Sequence, residues 1–221
     1  MSAQRSKATG LIGGRVYAVA SPMVSFYVVF DGHTAVAIDA GFNAELARRG
    51  LDQIGIDPSL VRNVFLTHSD RDHTGGLSVF SDAEIHLCVH EKAVIDGSVP
   101  RRFLFLKRRN RLEEAYVPFE DGAAFTAGSI RLRAIWTPGH TPGSTSYLVD
   151  ESALFTGDLL VLKHGRAAPG ARFITNDVEE SERSIHRLAE RVPGASLLCT
   201  GHSGYTTDYR YAMARYLPGK G

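Results

Sequence analysis

Val64-Phe-Leu-Thr-His68-Ser-Asp70-Arg71-Asp72-His73-Thr-Gly-Gly76 is the stretch around which this chain is organised. An apolar run ends here in two histidines and two aspartates within six residues, and a Thr-Gly-Gly segment follows them. Burying such a cluster at the end of a strand is costly unless a cation neutralises it. Histidine and carboxylate side chains are common metal ligands, so the stretch predicts a metal site.

The composition indicates one layered α/β domain over residues 1–221, because a chain of this length with 43% hydrophobic content can bury a large core. The 25 Lys and Arg residues nearly balance the 24 Asp and Glu residues, which argues against nucleic acid or an anionic membrane surface as a partner. The N-terminal segment lacks the apolar run of a signal peptide, and no later run approaches the roughly 18 apolar residues of a membrane span. We therefore expect a cytoplasmic protein that acts on a small molecule.

Hydrophobic periodicity divides the chain into two halves, each made of strands followed by a helix. The first half contains a predicted antiparallel meander, a helix capped by Asn43 that runs to about Ile54, and a strand that leads into the metal-site stretch. The second half contains further strands and a helix capped by Asn176 or Asp177. The predicted strands cover residues 15–20, 25–30, 34–39, 61–66, 84–89, 130–136, 144–149, 153–156 and 196–200.

Three later strands also end in residues that can bind metal. His140 lies between two Pro-Gly turns, whose fixed backbone suits a ligand. Asp158 follows a glycine directly after a strand, and His202 follows a glycine after the last strand. Side chains at such junctions project over the edge of a sheet, where they are available to an ion.

In order, spacing and flanking sequence, these four segments resemble the metallo-β-lactamase superfamily. The family pattern is His-x-His-x-Asp-His, then a later histidine, a bridging aspartate in a Gly-Asp turn and a last histidine in a Gly-His turn. The resemblance covers nearly the whole chain. It implies a four-layer αββα sandwich, in which two sheets pack face to face, helices cover the outside and the metals lie at one edge.

The resemblance also implies which side chains hold two divalent ions. The ligands are His68 and His140 for the first ion, with Asp70 where most relatives have a histidine; Asp72, His73 and His202 for the second; and Asp158 between them. The two ions would share a bridging hydroxide that attacks a carbonyl or phosphoryl centre. In this scheme Asp72 and Asp158 are the catalytic residues.

Asp70 departs from the commonest pattern of the family. A third carboxylate weakens the Lewis acidity of the ions and favours oxygen-preferring metals such as iron or manganese, although zinc is the ion that the resemblance favours. Aspartate also reaches less far than histidine. We therefore expect Asp70 to bind through a shift of the first metal or through a water, which would leave the first site weaker than the second.

The function that these features favour is hydrolysis of an ester, thioester or lactone. General ester or lactone cleavage is expected ahead of glutathione thioester or nucleic-acid cleavage. An iron oxidoreductase on the same fold is the first alternative, because some redox relatives carry an acidic residue at the position of Asp70. A non-catalytic metal-binding protein is the second.

Two further residues are candidates for substrate binding. Arg71, inside the metal-site stretch, is suited either to pair with a substrate anion or to form a salt bridge beside the metals. His164, soon after Asp158, is either a substrate contact or an ordinary loop histidine. Asp39 ends a strand and is suited either to line the site or to cap the next loop.

The segment from Lys92 to Pro118 is predicted to be irregular and strongly basic. Its cations bracket the apolar residues 103–106, which favours a solvated face or a homodimer contact over a substrate lid. These cations are Arg101, Arg102, Lys107, Arg108, Arg109 and Arg111. The other polar candidates have simpler interpretations: His86 and His90 as histidines outside the metal site, and Cys88 and Cys199 as buried thiols.

Overall fold

The computed structural model describes residues 8–103, 106–108 and 110–218. Short β-branched and aromatic runs form strands such as VYAVA (16–20) and SFYVVF (25–30), as their composition predicts. In chain order these are β1 (Gly10–Gly13), β2 (Val16–Ala20), β3 (Ser25–Phe30), β4 (Ala35–Ile38), β5 (Val61–Phe65), β6 (Glu84–Cys88), β7 (Arg101–Phe103), β8 (Leu106–Arg108), β9 (Val117–Phe119), β10 (Ala124–Ala127), β11 (Ile130–Trp136), β12 (Thr145–Val149), β13 (Ala153–Phe155), β14 (Leu160–Lys163), β15 (Arg166–Pro169), β16 (Leu197–Thr200) and β17 (Gly204–Thr206).

The two longest helices begin where the sequence places capping side chains. Asn43 accepts a hydrogen bond from the backbone N–H of Leu46, and Asp177 accepts one from Glu180, so both predicted caps are confirmed. The helices are α1 (Ala44–Ile54), α2 (Arg71–Thr74), α3 (Lys92–Ile95), α4 (Val178–Arg191) and α5 (Tyr209–Met213), with 3-10 turns at Pro58–Leu60, Leu77–Val79, Val89–Glu91 and Arg172–Ile174.

Two sheets make up the centre of the fold. The first sheet has the order β1-β2-β3-β4-β5-β6-β9, antiparallel through β4 and parallel from there on. The second has the order β10-β11-β12-β13-β16-β17, in which only β13 and β16 run parallel. The hairpins β7-β8 and β14-β15 stand apart from both sheets. The carboxyl ends of β4, β5 and β6 therefore meet at one edge, as parallel strands require.

Three apolar clusters define four layers. The central one, with Tyr27, Phe65, Tyr147 and Phe155, lies between the sheets. A second cluster packs α1 on the outer face of the first sheet, and a third packs α4 and α5 on the outer face of the second. Each fully buried large apolar side chain contributes about 1.5–3 kcal/mol, so these interfaces hold the layers together. The predicted αββα sandwich is confirmed.

The region 92–118 is more regular than its sequence indicates. It contains α3, the hairpin β7-β8, and β9, which adds to the edge of the first sheet beside β6. These elements have three or four residues each, too few to show a hydrophobic period, and β9 carries a proline that only an edge strand accommodates. None of the helices in the described part of the chain has the length and apolar character needed to cross a bilayer.

Candidate metal centre

All seven predicted ligands meet at one edge of the sandwich. The loop after β5 and the short α2 carry four of them, and the loops after β11, β13 and β16 carry one each. Their donor atoms form three overlapping groups, in each of which the atoms lie within 4.8 Å of one another. The groups are His68, Asp70 and His140; His68, His73 and Asp158; and Asp72, His73 and His202.

The middle group is fully buried and lacks hydrogen-bond partners. His68 Nε2, His73 Nε2 and Asp158 Oδ1 have none among the described residues, although His73 Nε2 lies 3.2 Å from Asp158 Oδ1. Orphaned polar atoms are costly in a protein interior. Two imidazole nitrogens and a carboxylate oxygen that converge in this way fit a divalent metal ion, which would satisfy all three.

The solvent-facing side of the centre is formed by Asp72 and His202. His202 Nε2 lies 3.4 Å from Asp72 Oδ2 and 2.9 Å from Asp158 Oδ2. The side chains of Asp72 and His202 are 25% and 29% exposed, whereas His73 is inaccessible. The centre is therefore open to solvent on the side of these two residues.

Gly201 lets the last ligand loop approach this closely. A Cβ atom at this position would lie 2.5 Å from Asp158 Oδ1 and 2.9 Å from the ring of His73. Any side chain here would push into the ligands themselves. The glycine before His202 is therefore part of the architecture of the centre.

Asp39 contacts His73 on the side of the ring that points away from the centre. Its Oδ2 lies 2.7 Å from His73 Nδ1, and its Oδ1 accepts a hydrogen bond from the backbone N–H of Thr67. Burial alone would lower the pKa of His73, but Asp39 and Asp158 raise it well above its ordinary value. Of the two roles predicted for Asp39, the structure supports the one at the site, where it orients a ligand from the outer side.

Asp70 is engaged by a buried arginine from β7. Arg101 Nε donates to Asp70 Oδ1 at 2.7 Å, and its Nη2 donates to Oδ2, which gives a two-point ion pair. Asn110 also donates to Oδ1 at 2.7 Å. Burial alone would raise the pKa of Asp70, but the hydrogen bonds from Arg101 and the proximity of His68 hold it well below its ordinary value.

Arg101 is a residue at the centre that the sequence interpretation missed. The basic segment was expected to be solvated or to form a dimer contact, yet this arginine is 4% exposed and reaches the centre. The expectation was wrong for Arg101. A run of basic residues has the same sequence pattern whether all of its side chains are solvated or one of them is buried. The available signal was Asp70 itself, since an additional carboxylate in a buried site calls for a cation.

Glu91 joins two of the ligand loops. This buried carboxylate accepts hydrogen bonds from the backbone N–H and hydroxyl of Ser69, from the hydroxyl of Thr141 and from the backbone N–H of Gly143. Ser69 belongs to the first ligand loop, and Thr141 follows His140 in the second. The carboxylate thereby fixes the distance between ligands from the two sheets.

The two substrate-binding candidates lie outside this network. Arg71 is exposed at the start of α2, and His164 is exposed in the turn between β14 and β15, with a φ of 51°. Neither side chain forms a hydrogen bond or ion pair with a described residue. His86 is buried and stacks on Phe65, and the ring of His90 lies 4.4 Å from that of Trp136, and neither histidine belongs to the three ligand groups.

Comparison with known proteins agrees with this geometry. Residues 22–209 match the family described as the metallo-beta-lactamase superfamily. The probable polyketide biosynthesis zinc-dependent hydrolase BaeB of Bacillus velezensis is 30% identical over 179 residues, which cover 80% of this chain and 72% of that protein. The thioesterase pkgB of Emericella nidulans is 27% identical over 197 residues, 86% of this chain and 49% of its own length. The hydroxyacylglutathione hydrolase-like protein of Mus musculus is 27% identical over 195 residues, 85% of this chain and 60% of its own length.

Solved structures share the sandwich. A metallo-beta-lactamase family protein from Thermus thermophilus aligns with a TM-score of 0.69 and 24% identity over 91% of this chain and 77% of the other. A subclass B3 metallo-beta-lactamase from a soil metagenome library aligns with a TM-score of 0.70 and 20% identity over 90% of this chain and 81% of the other. By its sequence match over residues 22–209, this chain belongs to the metallo-beta-lactamase superfamily.

Proposed function

We propose that the protein is a metal-dependent hydrolase that cleaves a thioester or an oxygen ester, lactones included. The observation that carries the proposal is the buried group of His68, His73 and Asp158, whose facing donor atoms have no hydrogen-bond partner in the described structure. A divalent ion held there supplies Lewis-acid chemistry, in which it acidifies water and polarises a carbonyl oxygen.

The side chains around the centre have distinct tasks in this proposal. Asp39 keeps the proton of His73 on Nδ1, so that Nε2 faces the ion. His202 is oriented in the same way, because its Nδ1 lies 2.8 Å from the backbone oxygen of Met23. The side chain of Asp72 is 25% exposed and its Oδ2 lies 3.4 Å from His202 Nε2, so we assign to it the role of proton acceptor during attack on the substrate.

The two thiols of the chain do not offer a competing nucleophile. Cys88 and Cys199 are both buried. Burial raises the pKa of Cys88 to about 11 and that of Cys199 well above its ordinary value, so both stay protonated at neutral pH. A protonated, inaccessible thiol does not attack an acyl group. Activated water is therefore the nucleophile we propose.

Exposed apolar side chains near the centre favour an apolar acyl group. Met23 is 57% exposed and its carbonyl oxygen contacts His202; Phe42 is 39% exposed and follows Gly41, which pairs with Thr74 at the end of α2. Phe173 is 54% exposed in the 3-10 turn beside β7. Exposed apolar groups beside a site commonly contribute to ligand binding. The thioesterase and hydroxyacylglutathione hydrolase names among the relatives support the choice of an acyl ester or thioester.

The iron oxidoreductase alternative loses the observation that motivated it. That alternative depended on Asp70 as an additional carboxylate ligand, whereas both oxygens of Asp70 already accept hydrogen bonds from Arg101. Elemental analysis of protein grown without added metal separates the two functions. Near-stoichiometric iron together with oxygen or nitric oxide turnover would favour the oxidoreductase.

The direct test is a hydrolysis assay with defined acyl substrates. Metal-loaded protein is assayed with acyl thioesters of N-acetylcysteamine and with 4-nitrophenyl esters from acetyl to decanoyl. Asp158→Ala is expected to lower kcat/KM by at least about 100-fold because it removes a ligand atom from the buried group. The matched control is Asp150→Ala, which removes a surface carboxylate paired with Arg15 and should leave turnover unchanged. No turnover of either substrate class by metal-loaded wild-type protein would contradict the proposal.

A further inference from the structure

We propose that the guanidinium of Arg101 takes the place of the first metal ion, so that this chain binds one divalent ion, on the His73 and Asp158 side of the centre. The inference rests on the proposed function only in that the centre binds metal. It concerns the number of ions and the residue that sets this number, not the bond that is hydrolysed.

The first group of ligand atoms already has a cation. Arg101 Nη2 donates to Asp70 Oδ2 and, at 3.0 Å, to Nε2 of His140. These two acceptors lie only 3.3 Å apart, so the guanidinium lies where an ion shared by them would have to bind. Arginine has no acceptor atom, and His140 must therefore receive this hydrogen bond through the nitrogen that faces the centre.

Arg101 is fixed in this position. Its remaining donors reach Asp70 Oδ1, the backbone oxygen of His140 and Oδ1 of Asn176, which gives five hydrogen bonds in all. Five is also the number of N–H groups on a guanidinium. A side chain that is 4% exposed and has every donor satisfied is part of the packed structure and not a mobile surface cation.

The other ligand atoms contrast with this saturated group. His68 Nε2, His73 Nε2 and Asp158 Oδ1 are buried and have no hydrogen-bond partner among the described residues. The same edge of the sandwich thus has two subsites. In the first, Arg101 contacts Asp70 and His140. In the second, the atoms of His68, His73 and Asp158 face each other without a hydrogen-bond partner. An ion there would replace two close approaches that lack hydrogen-bond geometry, that of His73 Nε2 to Asp158 Oδ1 at 3.2 Å and that of His68 Nε2 to Asp70 Oδ2 at 3.3 Å.

Charge explains why arginine and aspartate occur together here. A neutral histidine at position 70 would leave a buried guanidinium without a counterion, and Asp70 without Arg101 would add a third carboxylate to the centre. As a pair they are neutral. Within this neutral pair the guanidinium is the partner that contacts His140, so a divalent ion bound there would lie beside a buried positive charge.

The test counts the ions that each variant binds. Metal-free protein is titrated with Co²⁺ by calorimetry and by visible absorption, and the bound metal is counted by elemental analysis after desalting. We expect one ion per wild-type chain. Arg101→Met keeps an apolar stem of similar length and removes the charge, which frees Asp70 and His140, so we expect a second ion and a second set of absorption bands. The control is Arg191→Met, which removes a half-exposed arginine paired with Asp121 and should leave the count at one.

The possible outcomes separate this inference from the proposed function. Two tightly bound ions in the wild type would overturn it while leaving a metal-dependent hydrolase intact, and this measurement needs no variant. One ion in both wild type and Arg101→Met would show that Arg101 does not set the number. Binding of no ion would contradict the proposed function as well. If Arg101→Met does not fold, the double variant Asp70→His/Arg101→Met leaves neither charge unpaired, and two ions are expected for it.

Discussion

The carboxylate of Asp39 and the imidazole of His73 are joined by a hydrogen bond of 2.7 Å between Oδ2 and Nδ1, and both side chains are buried. The bond fixes which ring nitrogen carries the proton and where the other one points. Asp39 also has a φ of 64°, a conformation that is uncommon outside glycine and that its contacts with Thr67 maintain. The position of His73 is therefore determined by Asp39, which contacts the ring nitrogen that points away from the candidate metal site.

Asp39→Asn is expected to weaken metal binding by about 10- to 100-fold, because an amide is a poorer partner for the His73 N–H than a carboxylate. Competition with a chromophoric chelator measures the affinity. Asp57→Asn is an isosteric control at an exposed turn, where Asp57 accepts a hydrogen bond from Ser59, and its affinity should equal that of the wild type. Equal affinity of Asp39→Asn and the wild type would show that Asp39 does not support the ligand.

Glu91→Ala is expected to destabilise the fold by about 2–4 kcal/mol, because it leaves buried donors of Ser69, Thr141 and Gly143 without their acceptor. Urea denaturation of the metal-free protein measures this loss without interference from bound metal. Glu45→Ala removes an exposed carboxylate paired with Arg49 and should change the stability by less than about 1 kcal/mol. A loss no larger for Glu91→Ala than for this control would contradict the role assigned to Glu91.

Phe173→Ser is expected to lower kcat/KM for decanoyl substrates by about tenfold and to leave acetyl substrates nearly unchanged. Each methylene group that is buried contributes about 0.8 kcal/mol, so loss of contact with even two of them has this effect. The measurement is the dependence of kcat/KM on acyl length. Leu11→Ser, which removes an equally exposed apolar side chain from β1, should leave that dependence intact. Equal losses of kcat/KM for acetyl and decanoyl substrates would contradict the proposed preference for an apolar acyl group.

Cys88 is expected to make the fold less stable at alkaline pH. Burial raises the pKa of its thiol from an ordinary 9.0 to about 11. As the pH rises from 9 to 11, the unfolded chain releases a proton that the folded chain retains, so the free energy of unfolding falls by up to about 2–3 kcal/mol. Denaturation at a series of pH values measures how steeply the free energy of unfolding falls with pH. This dependence should be shallower in Cys88→Ala. An unchanged slope would contradict the raised pKa.

Local patterns were sufficient to predict most of the framework. The helix from Asn43 to Ile54 combines a capping side chain with helical periodicity, and both signals lie within a few residues of each other. The ligands likewise lie at strand ends that the alternation of apolar residues locates. Whether each of them binds metal remains a prediction.

What the sequence could not supply were partners distant along the chain. Arg101 and Asp70 are separated by 31 positions, and nothing in the residues around Arg101 distinguishes it from the other cations of its segment. Glu91 lies 52 positions from Gly143 and was indistinguishable from a surface carboxylate. A hydrogen-bond partner is determined by the packing of the sheets, which local periodicity does not encode.

The contact between His202 and the backbone oxygen of Met23 spans 179 positions. His202, the last predicted ligand in the chain, is thus oriented by Met23, which precedes all the other predicted ligands. The ligands between Met23 and His202 come from both sheets. Neither sheet with its helices has the complete set. Contacts of such long sequence separation slow folding, because the entropy of closing a long loop is lost before the contact forms. The affinity of this protein for metal is therefore a property of the finished tertiary structure, and metal uptake can serve as a sensitive reporter of its completion.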